Sequence, residues 1–286
     1  MINDIDIIEP VESPIFNSND YIYEMKYKGI RVLIIINNNI KIIDNKKSDI
    51  TYKFPELLDL KDNIKSNCIL DGVIVLKNNK KFNKYYPQTR YNLTNKSIII
   101  NYSLKRPVNL IITDILYFND KSLLTTPLIV RKKIINKNFK SNNKLFISKY
   151  LYNSPDKLIN NIYKYNLNSV IAKYKYSLYE QNTWNYFKIY LIDEFYICGL
   201  TFYENDIKEL IICDSNQKYK GKVKLTGYNI KKYLLHITKP YRTSKSIISN
   251  LENTLFIKPV IKCLVEYLTV DKNDIIIDAF LKKIIK

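Results

Sequence analysis

E-M-K-Y-K-G-I-R, residues 24–31, is the stretch whose reading decides the rest of the chain. It sets Lys26 two residues before Lys28 and three before Gly29, with Arg31 beyond and the apolar run 32–36 following. A lysine at the mouth of a strand pair, beside a glycine that permits close backbone approach and an arginine suited to phosphate, can act as a covalent nucleophile toward a nucleoside triphosphate. The plainer reading is one more lysine-rich surface turn, in a chain carrying 46 Lys and Arg. The segments that follow discriminate between the two.

Composition bounds the answer from outside. A chain of 286 residues is long enough for two domains with cores of their own, and 46% hydrophobic with 26% charged residues is globular. The formal net charge of +19 favours a polyanionic partner, nucleic acid ahead of an anionic membrane surface. Abundant Lys, Asn, Ile and Tyr beside only 5 Gly mark a compositional bias that accounts for part of the lysine. Cys68, Cys198, Cys213 and Cys263 are scattered, without a C-x-x-C pair, and the single histidine, His236, has no cysteine near it. That excludes a zinc site and a disulfide framework, and predicts free buried thiols in a reducing compartment. The N-terminus lacks a signal-peptide core and no apolar run reaches membrane-spanning length, so a cytoplasmic protein of a bacterium or a virus-infected host is expected, without a membrane partner.

Along the chain, residues 1–20 read as a loose lead-in, and 31–36 and 40–43 as a hairpin across Asn37-Asn38-Asn39. A helical spacing opens at Pro55 over 54–60, and 68–76 is a strand broken by Asp71-Gly72. Residues 78–106 are basic, tyrosine-rich and partly irregular; Tyr85, Tyr86 and Tyr91 among Lys80, Lys81, Lys84 and Arg90 suit base stacking as well as mere composition. A buried strand with one acid, Asp114, covers 108–118; helices are predicted over 127–137 and 155–165, and strands over 169–174 and 186–191. Short strands then follow at 195–202, 207–213, 219–224, 256–257 and 263–268, with a helix near 228–235, which suggests a small barrel of the OB type. The boundary falls near 190, giving domains 1–190 and 191–286. Lys218, Lys220, Lys222 and Lys224 alternate along one strand and so share a face, either solvated or tracking phosphates.

Taken in order, E-M-K-Y-K-G-I-R, F-P-E-L-L (54–58), L-D-G-V-I-V-L (70–76), T-D-I-L-Y (113–117), N-S-V-I-A-K (168–173), W-N-Y-F-K (184–188), Y-K-G-K-V-K-L-T-G (219–227) and F-I-K-P-V-I-K-C-L-V-E-Y (256–267) resemble the ATP-dependent DNA ligases, and most of all the ligase domain of the bacterial end-joining ligases. The likeness covers about residues 12–286. It implies an α+β fold: a nucleotidyltransferase (ATP-grasp-like) ligase domain followed by a β-barrel OB-fold domain. It implies ATP as cofactor with Mg²⁺ or Mn²⁺, and duplex DNA with nicks or ends as partner, with Ku and a repair polymerase as candidate associates of a monomer. On this resemblance Lys26 is the adenylated nucleophile, Glu24 and Met25 flank the adenine, and Arg31 contacts ribose or nick phosphate. Lys173 and Lys188 hold the α-phosphate, Arg90 and Arg131 face nucleotide or DNA, and Lys220, Lys222 and Lys224 contact DNA. Trp184 is expected as a core anchor behind Lys188, and His236 as structural.

The chain departs from the family pattern at several of these places. Lys28 stands where K-x-D-G has aspartate, Val73 where L-D-G-E has glutamate, and Thr113 where an aromatic precedes Asp114. Asn168 and Ser169 replace a Glu-Gly, Tyr186 replaces the first lysine of W-x-K-x-K, and L-K-K-I-I-K (281–286) is a worn R-x-D-K. Removing carboxylates and adding a cation weakens a divalent-metal site. Lys28 is expected to repel Lys26 and ease the loss of its proton. Two outcomes follow: Lys28 takes over part of the metal's charge, or sealing is severely impaired. The rivals to a DNA ligase are accordingly a catalytically silent DNA-binding paralogue, and another lysine nucleotidyltransferase of the RNA ligase or capping type.

Overall fold

The computed structural model describes residues 5–78, 81–83, 86–165, 167–179, 184–204, 206–225, 227–246, 253–271 and 273–285. The chain forms two compact units, Met1–Lys188 and Ile189–Lys286. In the first unit the strands are β1 Val11–Glu12, β2 Ser18–Met25, β3 Ile30–Ile36, β4 Ile40–Asp44, β5 Cys68–Asn78, β6 Lys81–Asn83, β7 Asn109–Phe118, β8 Lys121–Ser122, β9 Leu145–Ile147, β10 Tyr150–Asn153, β11 Ser169–Tyr174 and β12 Trp184–Lys188. Its helices are α1 Leu60–Asn63, α2 Tyr86–Tyr91, α3 Lys96–Lys105, α4 Leu128–Asn138 and α5 Asp156–Lys164. One sheet has the order β1-β12-β11-β2-β10; the other runs β4-β3-β5-β7-β8, with β6 added to β5 and β9 to β7.

The run I-R-V-L-I-I-I of β3 is apolar at almost every position because both faces of its sheet are covered. Val32, Ile34 and Ile36 pack with Phe54, Leu57, Leu70 and Ile74 on one side, while Leu33 and Ile35 meet Ile5, Ile8, Ile171 and Trp184 on the other. The second cluster is where the two sheets of this unit meet.

Several expectations are revised. The lead-in contributes β1, parallel to β12, and the first three residues of β2. The spacing over 54–60 belongs to 3₁₀ turns, Thr51–Lys53 and Pro55–Leu57, before the four-residue α1; a period of three serves either conformation. Asp71-Gly72 does not break β5. The ladder to β7 shifts register there, and a Cβ on residue 72 would lie 2.8 Å from the Ile111 carbonyl oxygen. Helices α2 and α3 occupy ground read as irregular. Helix α3 buries only Ile99 and Ser103 and leaves Ile98, Ile100 and Leu104 exposed, so its sequence carries no amphipathic stripe. Lys80, Lys84 and Tyr85 lie outside the described residues. Tyr91 gives its hydroxyl to Asp44 at 2.5 Å and packs on the core, which removes it from a stacking surface.

In the second unit β13 Leu191–Tyr203, β14 Asp206–Cys213, β15 Tyr219–Lys224, β16 Thr254–Val270 and β17 Ile276–Ile285 close a barrel in the order β13-β14-β15-β17-β16, with α6 Tyr228–Thr238 between β15 and β16. Strand β16 is one long strand where two short ones were expected. Its pairing with β13 lapses around Pro259, which has no N–H to give the ladder. Strand β17, unread in the sequence, completes the barrel. All four cysteines are buried and free, as expected. No helix among the described residues is long and apolar enough to cross a membrane.

Two buried ion pairs brace the first unit. Arg131 on α4 grips Asp114 on β7 through Nε (2.9 Å) and Nη2 (2.8 Å), both side chains being fully buried. Arg90 on α2 takes both oxygens of Glu56 and lies over the Phe54 ring. Removing one member strands the other charge in the interior. Asp114→Ala is therefore expected to lose about 3–5 kcal/mol in urea denaturation, and the double change Asp114→Leu with Arg131→Met to recover most of it.

Candidate functional site

A cavity of about 570 Å³ lies in the first unit, walled by both of its sheets. Glu24, Met25 and Lys26 on and just beyond β2, Ile171 and Lys173 on β11, and Trp184 on β12 form one wall; Arg31, Val73 and Thr113 form the other. The loop 27–29, Gln88, Thr89 and Asn92 around α2, and Glu9 and Pro10 close the rim.

Strand register explains why these residue types recur at alternate positions. Ile22 pairs with Lys173 and Glu24 with Ile171; Lys173, Ile171 and Ser169 in turn pair with Trp184, Tyr186 and Lys188. The Lys26 amide donates to the Ser169 carbonyl at 2.9 Å, carrying the ladder one residue past β2. With a period of two, E-x-K, the lysine of β11 and W-x-Y-x-K all present one face. Gly29 lets the following loop settle on β5, since a Cβ there would lie 2.1 Å from the Ile74 carbonyl oxygen.

The deepest wall is a charge cluster. Glu24, 1% exposed, is bound by Lys132 at 2.5 Å and Lys173 at 3.4 Å, and accepts from the Ser148 hydroxyl at 2.7 Å. Burial by itself raises its pKa; the two lysines outweigh that and hold it below the usual carboxylate value. Lys132 also donates to the Thr113 carbonyl at 2.6 Å. Burial pulls Lys173 down to about 8, with Glu24 opposing and Lys132 assisting, and its ammonium sits 3.7 Å from the Trp184 ring centroid. Arg31 holds both oxygens of Asp71 at 2.8 Å, and Tyr179 donates to the same carboxylate at 2.9 Å. The buried Arg31 Nε and Trp184 Nε1 find no acceptor among the described residues.

Lys26 is half-buried, with Nζ 3.3 Å from the Tyr186 ring centroid. Burial lowers its pKa; Glu9 and Glu12 oppose, and Arg31 and Lys188 add to the lowering. The lowered value matches the expectation, but its main cause is burial, and the leading cations are Arg31 and Lys188.

The cavity thus gathers Glu24, Met25, Lys26, Lys28, Arg31, Val73, Thr113 and Lys173 from the residues expected at a site. Lys188 stands outside its lining, 3.0 Å from Glu12. Arg90 and Arg131 are spent on the ion pairs above, which corrects the expectation that they face nucleotide or DNA. Asn168 and Ser169 are buried, and the Ser169 hydroxyl donates to Asn168. Trp184 is a core anchor as expected, though beneath Lys173. In the second unit Lys220 is bound by Asp214 and Asp274, Lys222 is 3.8 Å from Glu209 and Lys218 is 4.0 Å from Asp274, so much of that basic face already has carboxylate partners. His236 is exposed, which corrects its expected structural role.

The sequence reading missed Glu9, Glu12 and Lys132. A signal for Lys132 was present: Leu128, Arg131, Lys132 and Ile135 are spaced as the inward face of α4, and all four are buried.

Two mostly antiparallel sheets enclose a cation-lined cavity with a lysine at its rim, of a size and charge that suit a phosphorylated, nucleotide-sized ligand. Residues 7–189 match the family described as ATP dependent DNA ligase domain, and the chain belongs to that family. It is 34% identical over 152 residues to the DNA ligase of Methanococcus aeolicus, covering 49% of this chain and 27% of that protein. It is 27% identical over 131 residues to the SPbeta prophage-derived DNA ligase-like protein LigB of Bacillus subtilis, covering 46% of this chain and 45% of that one. The chain thus matches less than half the length of either relative. In fold it is similar to the crystal structure of the ligase domain from M. tuberculosis LigD, with a TM-score of 0.53 and 17% identity over 97% of this chain and 94% of that one.

The donor set offers a divalent ion no more than one uncommitted carboxylate. Mg²⁺ at phosphate sites takes one or two carboxylates besides phosphate and water. Of the two carboxylates lining the cavity, Glu24 is committed to lysines, leaving Glu9. No cluster of three His, Cys, Asp or Glu exists among the described residues.

Native Lys173 gives up its proton near pH 8, whereas the unfolded chain holds it to the ordinary lysine value of 10.5. Between those limits the unfolded state binds more protons, so this group makes stability rise with pH. The urea stability of the protein relative to a Lys173→Met variant is expected to grow from pH 8 to pH 10 by about 1 kcal/mol per unit; a flat difference would refute the buried, perturbed lysine.

Proposed function

We propose that the protein is an ATP-dependent DNA ligase-type nucleotidyltransferase that joins breaks in duplex DNA through a lysyl-AMP intermediate. The observation carrying this reading is Lys26 at the rim of the cation-walled cavity. The purine enters beside Glu24 and Met25, and the phosphates lie toward Lys26, Lys28 and Arg31, with Lys173 for the α-phosphate. The neutral amine of Lys26 attacks the α-phosphorus. An N–P bond forms, the bond to the bridging oxygen breaks, pyrophosphate leaves with that electron pair, and the ammonium proton passes to solvent. AMP then moves to the 5′-phosphate at a nick, and the 3′-hydroxyl attacks that phosphate and releases AMP. Lysine and arginine side chains carry the charge stabilisation here. No step is assigned to a metal held by the protein.

Residues 1–190 form the adenylation domain on this reading. Residues 191–286 form an OB-fold domain for DNA, supported by a closed five-stranded barrel with a helix between its third and fourth strands. Lys220 and Lys222 can exchange their partly exposed carboxylate partners for phosphates, beside the exposed Lys224, because surface ion pairs are worth only about 0–1 kcal/mol. The role is repair of strand breaks in the cytoplasm, by a monomer, with Ku and a repair polymerase as candidate partners. A second reading, a DNA-binding paralogue that does not seal, is favoured by the missing carboxylates.

A 5′-phosphorylated nicked duplex separates the two. Sealing with ATP that falls about 10³-fold or more in Lys26→Ala supports the ligase. Binding of the nick without sealing, even of a pre-adenylated nick, supports the silent paralogue. Separately, titration calorimetry is expected to give an ATP affinity that changes less than about threefold between Mg²⁺ and EDTA, because side-chain cations meet the phosphates.

A further inference from the structure

Beside Lys26 lies an aromatic side chain that the nucleotide cavity itself does not use. Strand β2, carried past its end by the Lys26 amide, and β12 both flank β11 and share a face. Lys26 therefore reaches across one strand to the ring of Tyr186, its Nζ 3.3 Å from the centroid. The ring is fixed from behind. The two-residue β1 runs parallel to β12 with Glu12 paired to Tyr186, and the Ser13 amide donates to the Tyr186 carbonyl at 2.9 Å. The Tyr186 hydroxyl donates to Glu12 Oε2 at 2.8 Å, and Lys188 donates to Oε1 of the same carboxylate at 3.0 Å. One carboxylate thereby orients the ring and occupies the nearest other lysine of the strand.

We propose that Tyr186 is a positioning residue for Lys26: its ring, held by Glu12, keeps the Lys26 ammonium at the cavity rim until nucleotide phosphates draw it inward. The proposal rests on Lys26 being the nucleophile. A ring face attracts the charged form of an amine and not the neutral one. Tyr186 thus supports the protonated, unreactive state, against the burial that favours proton loss. The same hydrogen bond to Glu12 keeps the Tyr186 hydroxyl protonated, so the ring stays neutral. Attack on phosphorus requires Lys26 to leave the ring and lose its proton together.

The test is made on the whole chain without nucleotide. Lysines are reductively ¹³C-methylated, and the Lys26 resonance is assigned by its absence from Lys26→Arg. In the unmodified sequence this resonance is expected to be shifted upfield by the ring and to titrate at higher pH than in Tyr186→Leu, while Tyr186→Phe, with the ring but not its hydrogen bond to Glu12, falls between the two. A shift and midpoint unchanged by Tyr186→Leu would overturn the proposal. Adenylation followed against pH gives the second readout: its rising limb moves to lower pH in Tyr186→Leu, with about threefold to tenfold more neutral Lys26 below the midpoint. A limb that stays in place would also overturn the proposal. A ring-shifted resonance in a protein that never accepts adenylate would refute the nucleophile and leave only the contact.

Discussion

A single buried carboxylate, Glu24, sets the geometry of the first unit. An unpaired carboxylate at 1% exposure is costly by several kcal/mol, and the chain meets that cost with Lys132 from α4, Lys173 from β11 and Ser148 from the segment before β10. Lys132 also binds the Thr113 carbonyl on β7, so the cluster ties one sheet to the other through side chains. The cavity is the space these ties hold open. Two ammonium groups answer one carboxylate there, and burial, with Lys132 assisting, pulls the Lys173 pKa down to about 8. On the proposed function, the nucleotide phosphates supply the missing negative charge.

The outer part of the site repeats this logic with more solvent. Arg31 is immobilised on Asp71, itself held by Tyr179, so its guanidinium is set in place by the fold. Its Nε and the Trp184 indole N–H are left without acceptors among the described residues, two donors in residues that line the cavity. Glu9 and Glu12, from the N-terminal segment, oppose the burial that lowers the Lys26 pKa. Lys26 thus sits between carboxylates that favour its proton and burial that expels it.

Much of this was legible in the sequence, and what was not had physical reasons. The strands 169–174 and 219–224 were read to the residue, because their apolar or alternating patterns have no competing period. The cluster of Glu24, Lys26, Arg31 and Lys173 was legible through the family resemblance, and strand alternation is the physical reason Glu24, Lys26 and Lys173 share a face. Arg90 and Arg131 misled because a basic residue in a basic chain reads as surface, and nothing local announces a buried partner such as Glu56 or Asp114, tens of residues or one helix away. Helix α3 lacked an amphipathic stripe, β16 was split by Pro259, and β1 is two residues long; each is specified by tertiary pairing and not by its own pattern. Lys28 and Tyr186 were visible as departures, yet only the fold shows that Tyr186 faces Lys26.

The central claim is that Lys26 takes up adenylate at this cavity. It is tested most directly by intact-mass spectrometry after incubation with ATP, with Mg²⁺, with Mn²⁺ and with EDTA, beside Lys26→Ala. The account predicts an added adenylate in each condition for the unmodified sequence and none in the variant. Folded protein that acquires no adduct under any condition, or an adduct that persists in Lys26→Ala, would contradict it.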